Sequence, residues 1–370
     1  MHLYVHVPFC ARRCVYCDFA IAVRRSIPVS RYVQAVSREW QVRGEREGWH
    51  GEAVTTLYFG GGTPSLLPTD AIAELTELLS ARGAEDDVEL TLEANPDDVT
   101  PKAATAWREA GVNRVSLGAQ SFDRRPLAWM HRTHGVGAAE RAVARLRQAG
   151  VADVSLDLIF GFPDEVGHDF ERDLDRALAL EPDHLSVYGL TVEPATALGK
   201  WVERGRIRPV NDERYTREFL LAHERLTAAG YEHYEVSNYA RPGRRARHNA
   251  AYWERRPYIG LGPSAHSLRD HERRWNERHW AAYETRVRDR GDPVAGRERL
   301  DDEQRRLEAV YLGLRTSEGI AASLLDGAVE PNLERAGACG WLVAEGGRVR
   351  ATADGWLRLD ALVAGLTTSP

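Results

Sequence analysis

Short runs of apolar residues, some of them at alternate positions, each followed by a longer stretch with helical spacing, recur through the first two hundred residues of the chain. The strand-like runs fall at 3–7, 55–59, 89–93, 114–117, 155–159 and 184–188. Helix-like stretches fall between them at 31–43, 70–81, 101–110, 138–148 and 169–179, with Gly or Pro near several ends. Strands alternating with helices of this length predict an α/β fold, a parallel sheet with right-handed crossovers arranged as a partial (β/α)6 barrel.

The rhythm changes near residue 205, which divides the chain into expected units at 1–205, 206–300 and 301–370. In the middle unit a helical stretch at 212–229 and a short run at 232–235 precede an Arg-, Gly- and aromatic-rich segment from Tyr239 to Arg278, read as a loop that forms a lid or a second binding surface. The last unit combines two helical patterns with strand-like pieces at 341–343 and 349–351, which predicts a small α+β domain, winged-helix-like in outline.

Composition narrows the function classes. The 370 residues are 43% hydrophobic and 28% charged, as in a globular protein, and no run of about 18 apolar residues is present to span a bilayer. The start, Met1-His2-Leu3-Tyr4, has no signal-peptide pattern, so a cytoplasmic location without an integral membrane segment is expected, peripheral contact with a membrane staying open. A formal charge of -6 provides no broad basic footprint for phosphate contacts, so nucleic acid is not an expected partner. Four cysteines are placed unlike a disulfide framework: Cys10, Cys14 and Cys17 are clustered, and Cys339 is remote and expected to be a buried free thiol.

In such a barrel, ligands gather where the loops after the strands converge. The unusual motifs follow strands one after another: Cys10 to Cys17, Gly60-Gly61-Gly62-Thr63-Pro64, Glu93-Ala94-Asn95-Pro96, Gly118-Ala119-Gln120-Ser121 and Gly161-Phe162-Pro163. Three thiolates on one short loop can hold three irons of a [4Fe–4S] cube and leave the fourth iron open to a ligand. The competing reading is a structural zinc site, which would need Cys339 or a histidine such as His6 as its fourth ligand.

The spacing Cys10-x3-Cys14-x2-Cys17 with Tyr16 before the last cysteine resembles the radical S-adenosylmethionine (SAM) superfamily, whose barrel is a partial TIM-like one. The resemblance implies that SAM chelates the open iron and that reduction of the cluster by an electron donor cleaves SAM to a 5′-deoxyadenosyl radical. Over nearly the whole chain the sequence is similar to the coproporphyrinogen dehydrogenase-like branch, which implies SAM contacts at Tyr4, Gly61, Gly62, Thr63, Glu93, Gln120, Arg132 and Asp157.

Two activities occur in that branch. One is the oxygen-independent oxidation of coproporphyrinogen III, whose enzymes carry a further cysteine two positions after the last cluster ligand, where this chain has Phe19, and several tens of residues ahead of the first strand. The other is heme chaperoning. His248-Asn249-Ala250-Ala251-Tyr252-Trp253 matches the HNxxYW motif of the chaperones, which implies that His248, Asn249, Tyr252 and Trp253 meet heme, with propionates met by Arg244, Arg245, Arg247, Arg255 and Arg256. Without the resemblance, His248 reads as a surface-loop histidine. The expectation drawn is a protein that binds heme and delivers it to hemoproteins, which the resemblance implies to be those of the respiratory chain, while carrying a SAM-bound [4Fe–4S] cluster; the alternative is the oxidase. Whether the chain is itself an enzyme is left open.

Overall fold

The computed structural model describes residues 1–81, 83–325 and 329–367. Six parallel strands form its centre, hydrogen-bonded in chain order: β1 (His2–Val7), β2 (Val54–Gly61), β3 (Ala84–Ala94), β4 (Arg114–Gln120), β5 (Asp153–Phe160) and β6 (His184–Gly189). The crossovers hold α1 (Val29–Arg46), α2 (Thr69–Ser80), α3 (Pro101–Glu109), α4 (Arg124–Trp129), α5 (Ala138–Gln148) and α6 (Phe170–Ala179). All but α4 lie where the spacing predicts them; α4 is a six-residue helix with Pro126 inside it, too short to show a period.

Register explains why this sheet can build a site. His2 pairs with Thr56, Tyr4 with Tyr58, Tyr58 with Thr91, Glu93 with Ser116, Ser116 with Ser155, and Ser155 with His184. Side chains alternate at period two, so these polar residues share one face and Leu3, Val5, Leu57, Phe59, Leu90, Leu92, Val115 and Leu156 share the other. The apolar face is fully buried in the main core together with residues of the helices, among them Val36, Leu75 and Leu174. The polar face turns inward and satisfies itself across strands, as in Tyr58 to Glu93 at 2.8 Å, Ser116 to Asp157 at 2.9 Å and Ser155 to His184 at 2.8 Å.

After α7 (Ala197–Glu203) and α8 (Asp212–Ala228), two short antiparallel strands, β7 (Glu232–Glu235) and β8 (Asn238–Ala240), extend the sheet beyond β6. The segment expected to be a loop from Tyr239 to Arg278 is instead largely ordered into α9 (Arg247–Trp253), β9 (Tyr258–Leu261), β10 (His266–Arg269) and β11 (Glu272–Asn276). β9 pairs parallel with β1, and β10, β11 and β12 (Val294–Arg299) follow it antiparallel. The sequence hides β11 because Glu272-Arg273-Arg274-Trp275 lacks an apolar alternation; its pairing is reinforced by charge, as in Arg273 to Glu298 at 2.9 Å.

A buried polar knot ties this extension to α1. Arg43 bonds Glu39 at 2.6 Å and the Gly260 carbonyl at 3.0 Å, and Glu39 accepts from Tyr283 at 2.7 Å and from the Gly262 amide at 2.8 Å. Asn276 donates to the same Glu39 at 2.7 Å. At Gly260 an added Cβ would lie 2.2 Å from the His266 carbonyl oxygen, so close backbone packing accounts for this glycine.

α10 (Trp280–Arg290), which packs on α1, precedes β12, and the remaining residues form a small α+β unit of α11 (Asp302–Gly313), β13 (Ile320–Ala321), α12 (Glu330–Ala338), β14 (Leu342–Glu345), β15 (Arg348–Ala351), α13 (Ala353–Trp356) and α14 (Leu359–Thr367). β13, β15 and β14 make an antiparallel sheet in that order. Trp356 packs on His233 with ring centroids 4.4 Å apart. Cys339, expected to be buried, is exposed at the C-terminal cap of α12. Among the described residues no helix is long and apolar enough to cross a membrane.

Candidate functional site

The C-terminal ends of the six strands surround a cavity of about 440 Å³. Its wall contains Cys10, Cys14 and Cys17 and, from the residues expected to meet SAM, Gly61, Gly62, Thr63, Glu93, Gln120, Arg132 and Asp157. Motifs from four separate strand ends, with Asp157 of β5, are thus brought to one place, whereas Gly161-Phe162-Pro163 is not part of the wall. Tyr4 is not part of this wall; it lies one layer below, its hydroxyl 3.1 Å from His6 Nδ1.

The cysteine loop is anchored at both ends. Cys10 belongs to a two-residue parallel pairing with Val23, and the Leu198 amide donates to the Val15 carbonyl at 2.9 Å. Thr63 Oγ1 lies 3.4 Å from Cys10 Sγ, and Arg132 Nη1 lies 3.7 Å from Cys14 Sγ. Burial pushes the Cys10 thiol up to about 11 and raises Cys17 as well, so without a metal these groups are protonated at neutral pH. The glycine turn makes room beside them: a Cβ on Gly62 would sit 2.8 Å from the Phe9 carbonyl oxygen and 2.9 Å from that of Pro8. Gln120 ends β4 with φ 63°, a left-handed conformation that costs a non-glycine residue about 1 kcal/mol, next to a register shift in β4.

The cavity wall carries the carboxylates of Asp18, Glu93, Asp157 and Glu193 and the guanidiniums of Arg12 and Arg132. Burial raises Glu93 to about 7, helped by the charge of Asp157, while hydrogen bonds from Tyr58 and the Gly61 amide work against the rise. Asp157 is raised by burial too. Arg132 bonds the Asn95 side chain at 2.5 Å and the Gly118 carbonyl at 2.9 Å, and its Nε is buried without a partner. A carboxylate poised near neutrality, an unsatisfied guanidinium N–H, glycines that clear space and three thiols form a set suited to a metal cluster bearing a zwitterionic ligand. The zinc alternative lacks its fourth ligand: both ring nitrogens of His6 are engaged, by Tyr4 and by the Ala20 carbonyl at 2.9 Å, and Cys339 is exposed in the C-terminal unit. Among the described residues no group of three or more His, Cys, Asp or Glu is arranged to hold a single metal ion.

The HNxxYW segment is α9, and it closes the opposite end of the barrel. The Glu89 carboxylate accepts from the backbone amides of Arg247 at 2.8 Å and His248 at 2.9 Å. His248 is not a surface residue: it is 2% exposed, its Nδ1 is 2.7 Å from Thr56 Oγ1 and its Nε2 is 2.8 Å from the Tyr252 hydroxyl. Burial, with the charge of His2, lowers it to about 3, so the imidazole is neutral. Two donors of the same helix, Asn249 Nδ2 and Trp253 Nε1, are buried without partners. Most of the nearby arginines are already paired, Arg245 with Glu232 and Glu318, Arg247 with Glu85 and Asp87, Arg255 with Glu308 and Arg256 with Glu254.

Tyr58 joins the two ends. Its ring stacks on His248 with centroids 5.1 Å apart, and its hydroxyl donates to Glu93. Sequence reasoning did not single out Tyr58 or Ser116, and it named His6 only as a possible zinc ligand and Asn95 only as part of a motif. The signal for Tyr58, His6 and Ser116 was present as the polar positions alternating with Val5, Leu57 and Leu117.

This barrel with thiols at the rim of its strands defines a radical SAM protein, and the Radical SAM superfamily model matches residues 4–177. The HemN C-terminal domain model matches residues 300–358. The chain belongs to the heme chaperone HemW family. Its relatives of that name include one from Mycobacterium tuberculosis (strain ATCC 25618 / H37Rv), 37% identical over 98% of this chain and 93% of the relative. The one from Escherichia coli (strain K12) is 39% identical over 72% of this chain and 69% of its own. Among solved structures, coproporphyrinogen III oxidase (HemN) from Escherichia coli superposes with a TM-score of 0.84 over 99% of this chain and 89% of that one, at 22% identity, which shows the shared fold. Membership in the radical SAM superfamily implies a [4Fe–4S] cluster and SAM.

Proposed function

We propose that this protein is a heme chaperone: it binds heme, holds a SAM-bound [4Fe–4S] cluster, and passes the heme to hemoproteins. The observation that carries this reading is the 37% identity, over 98% of the chain, to a relative named heme chaperone HemW. Cys10, Cys14 and Cys17 hold the cluster. Glu93, Gln120, Arg132, Asp157 and the Gly61-Gly62-Thr63 turn hold SAM, with Tyr4 supporting them from the layer beneath. When bound, the cluster and SAM together supply a one-electron route to a 5′-deoxyadenosyl radical. The chain's own groups orient the ligand: Arg132 meets a carboxylate through its free Nε, and ionised Glu93 meets an ammonium or hydroxyl group. Its place of action is the cytoplasm, and the recipients are hemoproteins such as those of the respiratory chain.

Heme is met by α9. A neutral imidazole whose Nδ1 is fixed by Thr56 presents the lone pair of Nε2, the arrangement of a metal-ligating histidine with its orienting partner. In the present conformation Nε2 faces the Tyr252 hydroxyl, so iron must displace that hydrogen bond, at a cost of about 1 kcal/mol, as the helix opens. Asn249 Nδ2 and Trp253 Nε1, one turn apart and lacking acceptors, are donors for a ligand carboxylate or ordered water.

An anaerobic heme titration followed at the Soret band tests this. His248→Ala is expected to weaken binding at least tenfold, about 1.4 kcal/mol. Tyr252→Phe, which frees Nε2 without opening a large cavity, is expected to tighten it. Equal affinity in all three proteins would remove His248 from the heme site.

A further inference from the structure

On one face of the sheet extension, charge is matched across the strands: Arg273 of β11 stands opposite Glu298 of β12 and bonds it at 2.9 Å. The other face departs from that rule. There Arg274 stands directly opposite Arg297, and the neighbouring row places Arg269 and Arg299 on either side of Glu272. Like charges directly opposite one another destabilise a strand pair. Arg297 and Arg299 are exposed, and among the described residues no carboxylate lies within ion-pair reach of either. β12 is the last strand of the sheet, where charge of either sign blocks pairing with a second chain. Edge protection gives no reason to set one arginine against another.

This face and the C-terminal end of α1 wall a cavity of about 480 Å³, lined by five arginines and four carboxylates. The carboxylates are already engaged. Glu47 accepts from Arg43 at 3.0 Å and pairs with Arg274 at 2.7 Å, Asp292 pairs with Arg46 at 2.7 Å, and Glu272 pairs with Arg274 at 2.5 Å. The fourth, Asp270, lies 3.9 Å from Arg269 Nε. Arg269 is held in place by Trp49, whose ring its guanidinium covers at 4.2 Å, and by Glu52 at 3.0 Å, yet its Nη1 is buried without an acceptor. Donors thus exceed acceptors here, and an anion supplies what is missing. A phosphate group fits that need, with nearly two negative charges at neutral pH and three terminal oxygens that match the forked N–H pairs of guanidinium groups. The cavity volume is that of a small-ligand site, with room beside the phosphate for the rest of a molecule.

We propose that the cavity between α1 and the β10–β12 face binds the phosphate group of a small soluble phosphate compound, with Arg297 and Arg299 as its principal contacts and Arg269 and Arg274 completing the cradle. No residue of this wall belongs to the cysteine-lined cavity or to α9, so the site stands independently of the cluster and heme readings. Phospholipid headgroups carry the same chemistry, and the test separates the two sources.

Calorimetric titration of the full chain with inorganic phosphate and with pyrophosphate, at constant ionic strength, is the test. Wild type is expected to bind one pyrophosphate per chain saturably, and Arg297→Ala/Arg299→Ala at least tenfold more weakly. Arg204→Ala/Arg206→Ala, which removes the same charge from exposed positions just after α7, is expected to match wild type. Thermal unfolding guards against a folding defect: without ligand the Arg297→Ala/Arg299→Ala protein is expected to be at least as stable as wild type, because the opposed charges are gone. Pyrophosphate is expected to raise the unfolding temperature of wild type and not that of this variant. Equal affinity in all three proteins, or equal weakening in both variants, would overturn the proposal, since the binding would then be diffuse attraction to positive charge. Sedimentation with phosphatidylglycerol vesicles covers the other source. Vesicle binding that depends on Arg297 and Arg299, in a wild-type protein that takes up neither free probe, would assign the arginines to a membrane surface and overturn the soluble ligand.

Discussion

Cys14→Ala protein, reconstituted anaerobically with iron and sulfide, is expected to retain almost no [4Fe–4S] cluster, whereas Cys339→Ala is expected to match wild type. The reason is the absence of a substitute. Three thiols share one loop, and His6, the imidazole considered as a fourth ligand, is committed through both nitrogens to Tyr4 and the Ala20 carbonyl. The fourth cysteine is exposed at the end of α12 in the C-terminal unit. A cube left with two protein ligands is open at two irons and falls apart readily. Iron and acid-labile sulfide per chain, with the broad absorbance of the cluster, measure this directly. Retention of full cluster content by Cys14→Ala would remove Cys14 from the ligand set.

Glu93→Gln is expected to stabilise the cluster-free protein and to damage SAM binding. Folded Glu93 titrates at about 7, whereas an unfolded glutamate titrates at about 4.3. Between those values the folded protein holds a proton that the unfolded chain has released, so stability falls as pH rises through this window. Above it the buried charge costs up to about 4 kcal/mol. Gln removes the charge and can still accept from the Gly61 amide while meeting the Tyr58 hydroxyl through its NH2. In urea unfolding the variant is expected to gain about 2 kcal/mol at pH 8 and to match wild type near pH 4.5. Calorimetry at pH 8 is expected to show SAM binding at least tenfold weaker, because an ionised acceptor has been replaced by a neutral one. A variant less stable than wild type at pH 8 would mean that the carboxylate is not strained by its burial.

Much of the barrel was legible because each strand obeys one simple rule. His2, Tyr4 and His6 alternate with Leu3, Val5 and Val7, and Thr56 and Tyr58 alternate with Leu57 and Phe59, so the strand period is visible without tertiary information. The cysteine loop and the glycine turn were legible for a different reason, since both depend on local geometry that only those residues provide. The resemblance carried the remaining rim residues, and seven of those eight line the cavity.

The extension after residue 239 was hidden because its stability comes from elsewhere in the chain. β11 is held by cross-strand ion pairs, and β9 is held by β1 and by Arg43, more than two hundred residues earlier. No local window contains those partners. His248 shows the same limit. Its neighbours Ala246, Arg247 and Asn249 suggest a solvated loop, yet Thr56 and Tyr58 enclose it from a strand nearly two hundred residues away. Cys339 fails in the opposite direction, since its apolar character predicts burial and its position at a helix end decides otherwise.

The account stands on heme carrying as opposed to porphyrinogen oxidation, and one anaerobic experiment separates the two. Cluster-reconstituted protein with SAM and reductant is divided, one half receiving heme and then an apo-hemoprotein, the other coproporphyrinogen III. The account predicts saturable binding of one heme per chain, its transfer to the apo-hemoprotein, and no release of carbon dioxide from the porphyrinogen. Carbon dioxide release accompanied by 5′-deoxyadenosine, with no saturable heme binding, would contradict it.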